Sequence, residues 1–592
     1  MSSLFYLNKY LLKYKWHLIL GVVFISISNV FGVMMPSVVR ESINDIIAYA
    51  NVEIDTLNFT DILKLALISS GFYILFSSLK GLFLFLVRQA VIKMSRLIEY
   101  DLKNEIYNQY QNLSFSFYKE NSTGDLMNRI SEDVSKVRMY LGPGIMYTIN
   151  LVILFILVIY RMIAVNPTLT FYVLLPLPIM SIMIYKVSSI INKKSTALQQ
   201  QQSTLTTIVH ETFSGIRIIK SHNKEKEAQI KFNTATEGYK KLSISLTLTN
   251  AIFMPTIILL IGISTILTIY LGILNFQDDN VNPGEIAEFV IYVNMLTWPF
   301  ASVGWVTSII QRAAASQTRI NEFLYQKTDV SNPTDQPFHF NKSIEFKNVS
   351  LTYTNSGTTA LNNASLIINK GETIGVIGKT GSGKSSLAFL LMRLLDPTSG
   401  EILIDNAPLN KINLNDWRKN LAYVPQEHFL FSDSIKQNIL FGLQNESVSD
   451  EIIYNAAKSA GIHDTILGFP DGYDTILGER GINLSGGQKQ RISIARALIK
   501  KPTLLVFDDC LSAVDNETEE LILHSIKSDL IDKTAFIISH RISSIKYADK
   551  IIVVDEGHVI EEGSHKNLVA LKGAYYNIYQ KQMLQADINQ VT

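Results

Sequence analysis

Apolar residues follow two regimes along this chain. Up to about Ser308 they come in long blocks, and after Phe338 they come in short strand-like runs. A bilayer crossing needs roughly 20 apolar residues. Six blocks qualify: Trp16–Val39, Leu63–Val87, Gly142–Ala164, Thr168–Ile191, Ala251–Leu274 and Ile286–Ile310. Some contain proline (Pro36, Pro176, Pro178, Pro255, Pro299), which packed transmembrane helices tolerate. Any one block alone also fits a buried soluble helix; six in series predict an α-helical membrane domain with six spans. Thr328–Gln336 is polar with a proline and reads as a linker. Beyond it, Ile344–Phe346, Thr373–Ile377, Leu504–Phe507, Ala535–Ile538 and Ile551–Val554 alternate with helical stretches, predicting an α/β domain on a mainly parallel sheet. The expected divisions are a membrane domain over 1–327, a linker over 328–340, an α/β domain over 341–580 and a tail over 581–592.

Composition agrees. The 592 residues exceed one hydrophobic core. Charged residues make up 18%, against about 25% in a soluble domain. A net charge of +1 gives no electrostatic case for a nucleic-acid partner. Cys510 is the only cysteine, which rules out an intrachain disulfide and argues against a cysteine-built metal site. The N-terminus lacks the features of a cleaved signal peptide, so no removal is expected.

Lysine and arginine set the orientation. They gather before the first span (Lys9, Lys13, Lys15), after the second (Arg96, Lys103, Arg129, Arg138) and after the fourth (Lys193, Lys194, Lys220, Lys240, Lys241). The other loops are acidic or neutral: Glu41, Asp45, Glu53 and Asp55, then Val165–Asn166–Pro167, then Asp278 and Asp279. Both termini are therefore expected in the cytosol. From Asn192 to Phe213 there is neither Gly nor Pro, so span four is expected to continue as a helix nearly 40 Å (about 25 residues at ~1.5 Å each) past the lipid. The turns around Glu211–Arg217 and Phe115–Tyr118 suit docking on another domain or form solvated loops. Lys80, within span two, either faces a cavity or snorkels to the interface.

Gly378-Lys379-Thr380-Gly381-Ser382-Gly383-Lys384-Ser385 fits the phosphate loop G-x-x-x-x-G-K-S/T, with a strand before it and a helix from Ser386 after it. Such glycines let backbone N–H groups curl around phosphates at a helix N-terminus. Lys384 is placed to reach the β- and γ-phosphates of ATP, and the Ser385 hydroxyl to bind Mg²⁺. Leu504–Asp509 is a strand ending in two carboxylates, as Mg²⁺ coordination by Asp508 requires. Ser485-Gly486-Gly487-Gln488 opens a helix and is either an anion site or an ordinary cap.

Set between the phosphate loop and the Asp-ended strand, Leu484-Ser485-Gly486-Gly487-Gln488 resembles the signature of ABC transporters. The resemblance extends over essentially the whole chain and is to exporter-type half-transporters. Thr123–Met127 and Gly215-Ile216-Arg217 look like the loops that meet the nucleotide domain in that family. By the same resemblance Tyr353 stacks on adenine and Gln426 touches Mg²⁺. Gly478-Glu479-Arg480-Gly481 meets a partner's coupling helix, Asp515 in Ser512-Ala513-Val514-Asp515 belongs to the D-loop, and His540 contacts the γ-phosphate. One position departs: the family places Glu after Asp508, where it polarises the attacking water, and this chain has Asp509. A carboxylate drawn back by about 1 Å can cost on the order of 10²-fold in rate, which implies slow hydrolysis at this phosphate loop.

In the family each ATP lies between one subunit's phosphate loop and the other's signature. An intact signature beside Asp509 resembles one subunit of a heterodimeric exporter, the partner being a second half-transporter. The alternatives are a homodimeric lipid flippase, an ABC importer and a soluble ABC ATPase. The six spans argue against the last, and fusion of ATPase to spans argues against the importer. The expected setting is a bacterial inner membrane, and the substrate a drug, lipid or peptide.

Overall fold

The long apolar blocks fold into helices that outrun the blocks themselves. The computed structural model describes residues 2–51, 59–276, 282–354, 356–443, 448–510 and 533–591. They form two units: Met1–Gln111 with Gly124–Gln326, and Asn112–Thr123 with Lys327–Thr592. Glu53, Asp55, Asp278, Asp279 and Asp515 lie outside the described residues.

In the first unit, α1 (Lys15–Asn51) packs on α2 (Phe59–Val87), which passes through a π-helical turn into α3 (Lys93–Asn112). A short helix, α4 (Phe115–Glu120), clusters instead with the second unit. After it come α5 (Ile145–Val165), α6 (Pro167–Leu174), α7 (Pro176–Ser214), α8 (Glu225–Phe276) and α9 (Pro283–Leu324). Among the described residues five helices are long and apolar enough to cross a membrane: Lys15–Ala48, Leu63–Asn112, Thr123–Val165, Glu225–Leu274 and Pro283–Leu324. The expected fourth crossing, Thr168–Ile191, is shared between α6 and α7, which meet at Leu175. Pro176 has no N–H to continue the ladder there, so the helix restarts. From that restart α7 runs unbroken to Ser214, where Gly215 caps it.

The second unit holds the predicted parallel sheet and an antiparallel one besides. Strands β1 (Ser343–Thr352), β2 (Thr359–Asn369), β4 (Ser399–Ile404) and β5 (Ala407–Pro408) make a sheet in the order β2-β1-β4-β5. The main sheet joins β3 (Thr373–Gly378), β6 (Leu421–Val424), β7 (Leu504–Asp508), β8 (Thr534–Ile538), β9 (Lys550–Asp555) and β10 (His558–Gly563). Its order is β10-β9-β3-β8-β7-β6, parallel except for β10 on β9. Successive strand residues face opposite sides. Leu505, Phe507 and Ile537 therefore enter one apolar cluster, while Leu504, Val506 and Phe536 enter another. A sheet buried on both faces needs near-continuous apolar runs, which is why these strands were visible in the sequence.

Two helices follow the glycine-rich motifs: α10 (Lys384–Leu391) after the phosphate loop and α11 (Gly486–Leu498) after Ser485. A last helix, α12 (Ala574–Val591), runs through the segment set apart as a tail. The carboxyl ends of β3, β6, β7 and β8 lie along one edge, where ligands of open α/β sheets bind.

Candidate active site

β3 delivers Gly378 to the start of the phosphate loop, and Lys384 opens α10. Gly383 has φ +101°, and a Cβ on it would run into the Ala360 carbonyl, so only glycine fits. Lys384 is 6% exposed, and its Nζ donates to the carbonyls of Gly378 (2.9 Å) and Lys379 (2.7 Å). Burial lowers its pKa, opposed by the carboxylates of Asp509 and Asp508. The Ser382 hydroxyl is buried with no hydrogen-bond partner among the described residues. A loop curled around buried donors is ready for a phosphate.

Asp508 ends β7 at 2% exposure. Its Oδ1 accepts from the Ser385 hydroxyl at 2.9 Å and its Oδ2 from Tyr423 OH at 3.3 Å. Burial raises its pKa, against those two hydroxyl bonds. Asp509 follows in the left-handed region, φ +45°, which Asp tolerates better than most residues. Gln426 Nε2 lies 3.5 Å from its Oδ2, and the His540 backbone N–H lies 3.4 Å from its Oδ1. Lys384, Ser385, Gln426, Asp508, Asp509 and His540 are thus gathered at one sheet edge.

Tyr353 stands apart from the carboxylates. Its hydroxyl is 3.0 Å from that of Ser386, and Lys119 Nζ sits 3.5 Å from its ring centroid. Lys119 belongs to α4, whose Phe115 ring lies 5.2 Å from Phe389 and whose Ser116 hydroxyl donates to Asp329 at 2.5 Å. Tyr353 and Lys119 share the wall of a cavity of about 400 Å³.

Ser485 and Gln488 bind each other: the Gln488 N–H donates to Ser485 Oγ (3.3 Å) and the Ser485 N–H to Gln488 Oε1 (2.9 Å). This capping box starts α11 and leaves Gly486 and Gly487 in its first turn. No hydrogen bond among the described residues joins Ser485–Gln488 to the phosphate loop of the same chain. Glu479–Gly481 forms a 3₁₀ turn in which Arg480 takes φ +52°.

Residues 18–300 match the family of the ABC transporter transmembrane region, and residues 361–512 match the ABC transporter family. The chain is 38% identical over 490 residues to the uncharacterized ABC transporter ATP-binding protein YknU of Bacillus subtilis, covering 82% of this chain and 83% of that one. The chain belongs to the ABC transporter family. It is 36% identical over 493 residues to YheI of B. subtilis, described as a probable multidrug resistance ABC transporter ATP-binding/permease protein, covering 83% of this chain and 84% of the relative. It is 34% identical over 490 residues to the multidrug resistance-like ATP-binding protein MdlA of Escherichia coli, with 83% of each covered. In fold it is similar to a bacterial Atm1-family ABC exporter with ATP bound (TM-score 0.78, 23% identity, 96% of this chain and 99% of that one). It is an ABC exporter half-transporter, an integral membrane protein whose ATPase domain binds ATP and hydrolyses it to drive transport.

The ABC membrane region also holds a cluster that reading spans by average apolarity passed over. Glu288 of α9 is fully buried; its Oε1 accepts from the hydroxyls of Ser37 (2.9 Å) and Tyr292 (2.8 Å), and Arg40 lies 3.0 Å from its Oε2. Arg161 of α5 donates to Ser37 at 2.7 Å. Lys80, singled out instead, packs its stem against Gly32 of α1.

Proposed function

We propose that this half-transporter exports hydrophobic or amphipathic compounds by alternating access, as one of two subunits in a bacterial inner membrane with both termini cytosolic. The bacterial origin of the relatives and the multidrug names of two of them support the setting and the substrate class. The observation that carries the reading is the pairing of Ser385 with Asp508 at 2.9 Å. A hydroxyl and a carboxylate oxygen this close together could both ligate one Mg²⁺ ion.

The proposed roles are those that the motifs and the family resemblance imply, and the gathering of Lys384, Ser385, Gln426, Asp508, Asp509 and His540 at one sheet edge supports them. Gly378, Lys379, Thr380, Gly381, Ser382, Gly383, Lys384, Ser385 and Ser386 hold the phosphates, and Tyr353 stacks on adenine. Ser385, Asp508 and Gln426 would hold Mg²⁺, which would supply charge neutralisation for the phosphates. Asp509 orients the attacking water and His540 contacts the γ-phosphate. Ser485, Gly486, Gly487, Gln488 and Asp515 serve the nucleotide of the partner subunit. Exposed apolar side chains where α7 turns toward α8, Phe213 (70%) and Ile218 (68%), support docking of that turn on a partner. ATP drives the cycle only through its preference for the closed dimer.

Asp509 in place of Glu favours a heterodimer in which the partner supplies the faster site. Inside-out vesicles carrying this chain and any co-purifying partner test the reading: ATP-dependent uptake of a lipophilic dye is expected, and Lys384→Ala abolishes it. Uptake that needs no ATP would overturn it. A second subunit in the purified complex is the expected result for the heterodimer; a chain active on its own with brisk turnover would make it a homodimer.

A further inference from the structure

Helix α12 presents Tyr575, Ile578 and Tyr579 to the main core, at the spacing of one helix face. Its start is pinned by Glu561, whose carboxylate accepts the N–H groups of Ala574 (2.5 Å) and Tyr575 (2.9 Å). Tyr575 is fully buried and bonds His565 Nδ1 at 2.7 Å. The next position on this face, seven residues after Tyr575, is Gln582. A polar amide turned inward is costly unless it is partnered, and this one is partnered twice. Gln582 Nε2 donates to the His540 carbonyl at 2.7 Å, and its Oε1 accepts the Ile542 N–H at 2.9 Å.

These bonds bracket the loop that follows β8. The loop is held from its other side by Ser539, whose Oγ accepts the Arg541 N–H at 3.0 Å, and by the His540 N–H directed at Asp509. We propose that Gln582 is a positioning residue for this loop: α12 fixes the backbone of His540–Ile542 and so sets where the His540 side chain meets the γ-phosphate. Only a primary amide meets both demands. Glutamate lacks the donor, lysine lacks the acceptor, and asparagine is one methylene short. The inference rests on the reading of His540 as the γ-phosphate contact.

The test uses the full-length protein in nanodiscs, with its partner if it has one, and measures affinities for a non-hydrolysable ATP analogue and for ADP. A slow hydrolytic site does not obscure this readout. Gln582→Ala and Gln582→Glu are each expected to weaken the ATP analogue by roughly three- to tenfold, the worth of one or two hydrogen bonds, with ADP affinity unchanged. His540→Ala lowers the same ratio, and adding Gln582→Ala to it produces no further loss, because the two act as a unit. Unchanged discrimination in both Gln582 variants, while His540→Ala loses it, overturns this inference alone. So do additive losses, or an equal loss of ADP affinity, which marks a general lesion. If His540→Ala itself leaves the ratio intact, the reading of His540 falls and the inference falls with it.

Discussion

Asp508 and Asp509 are neighbours in sequence held in opposite ways. Asp508 is locked at the end of β7 by two hydroxyl donors. Asp509 turns away in a left-handed conformation to meet Gln426 and the backbone of His540. The change of backbone hand lets one carboxylate face Ser385 while the other faces the loop after β8. That separation is what the proposed roles of the two acids, one toward metal and one toward water, would require.

Asp509→Glu advances the second carboxylate by one methylene. Misplacement on the order of 1 Å can cost about 10²-fold, equivalent to roughly 2.7 kcal/mol of barrier. ATPase turnover at this chain's own phosphate loop, measured with any partner's site disabled, is expected to rise by about tenfold to hundredfold. Turnover unchanged or lowered would show that Asp509 is not what limits the rate.

Asp508 carries a pKa raised by burial. Above that raised value the folded state holds a charge it disfavours. As pH falls through it toward the ordinary value of about 3.9, the folded state takes up the proton first. Stability from this group therefore rises on acidification. Asp508→Asn removes the penalty while keeping partners for Ser385 and Tyr423. In EDTA without nucleotide, its unfolding temperature at pH 7 is expected to lie above that of the wild type. The difference from wild type shrinks toward pH 4. Mg²⁺-dependent ATPase falls at least tenfold in the same variant. A lower melting temperature at pH 7 would contradict the assignment of cause.

Much of the site was legible because its chemistry tolerates few residues. Gly383 must be glycine where the Ala360 carbonyl approaches, and β7 must be apolar throughout because both its faces are buried. The antiparallel sheet was harder to see. β2 exposes alternate positions and carries Asn362 and Asn363 near its middle, so no continuous apolar run marks it as a strand. Gln582 was hidden for a different reason: a glutamine on an apolar helix face looks like the end of the face until its backbone partners, about forty residues earlier in the chain, are known. Glu288 vanished into the average of an apolar span, since one carboxylate barely moves a mean over twenty residues. The division at Leu175 could be read in retrospect from Pro176, but packed spans tolerate proline often enough that it did not argue for a break.

The buried carboxylate of Glu288 gives the membrane half a test of its own. Removing one partner of a buried ion pair costs about 3–5 kcal/mol, whereas removing both costs less. Glu288→Gln leaves Arg40 facing the exposed Glu41 at 3.6 Å in place of its buried partner and is expected to shorten the half-life of the detergent-solubilised protein at elevated temperature. Arg40→Gln combined with Glu288→Gln recovers part of the loss. A double variant worse than the single would mean that Glu288 acts through Ser37 and Tyr292 rather than through Arg40.

Lys119 and Tyr353 raise a question of occupancy. The ammonium lies 3.5 Å from the ring centroid, the distance at which an adenine ring would stack on the same face. Such a contact is worth about 0.5–1 kcal/mol at an exposed site, so displacing it taxes nucleotide binding by about twofold to fivefold. Lys119→Ala is expected to tighten ATP and ADP alike by that factor, since both carry adenine. Inorganic tripolyphosphate, which has phosphates and no base, serves as the control and is expected to bind unchanged. If tripolyphosphate affinity moves in step with ATP, Lys119 acts on the phosphates through charge. If nothing moves, adenine takes another surface and Tyr353 is not its platform.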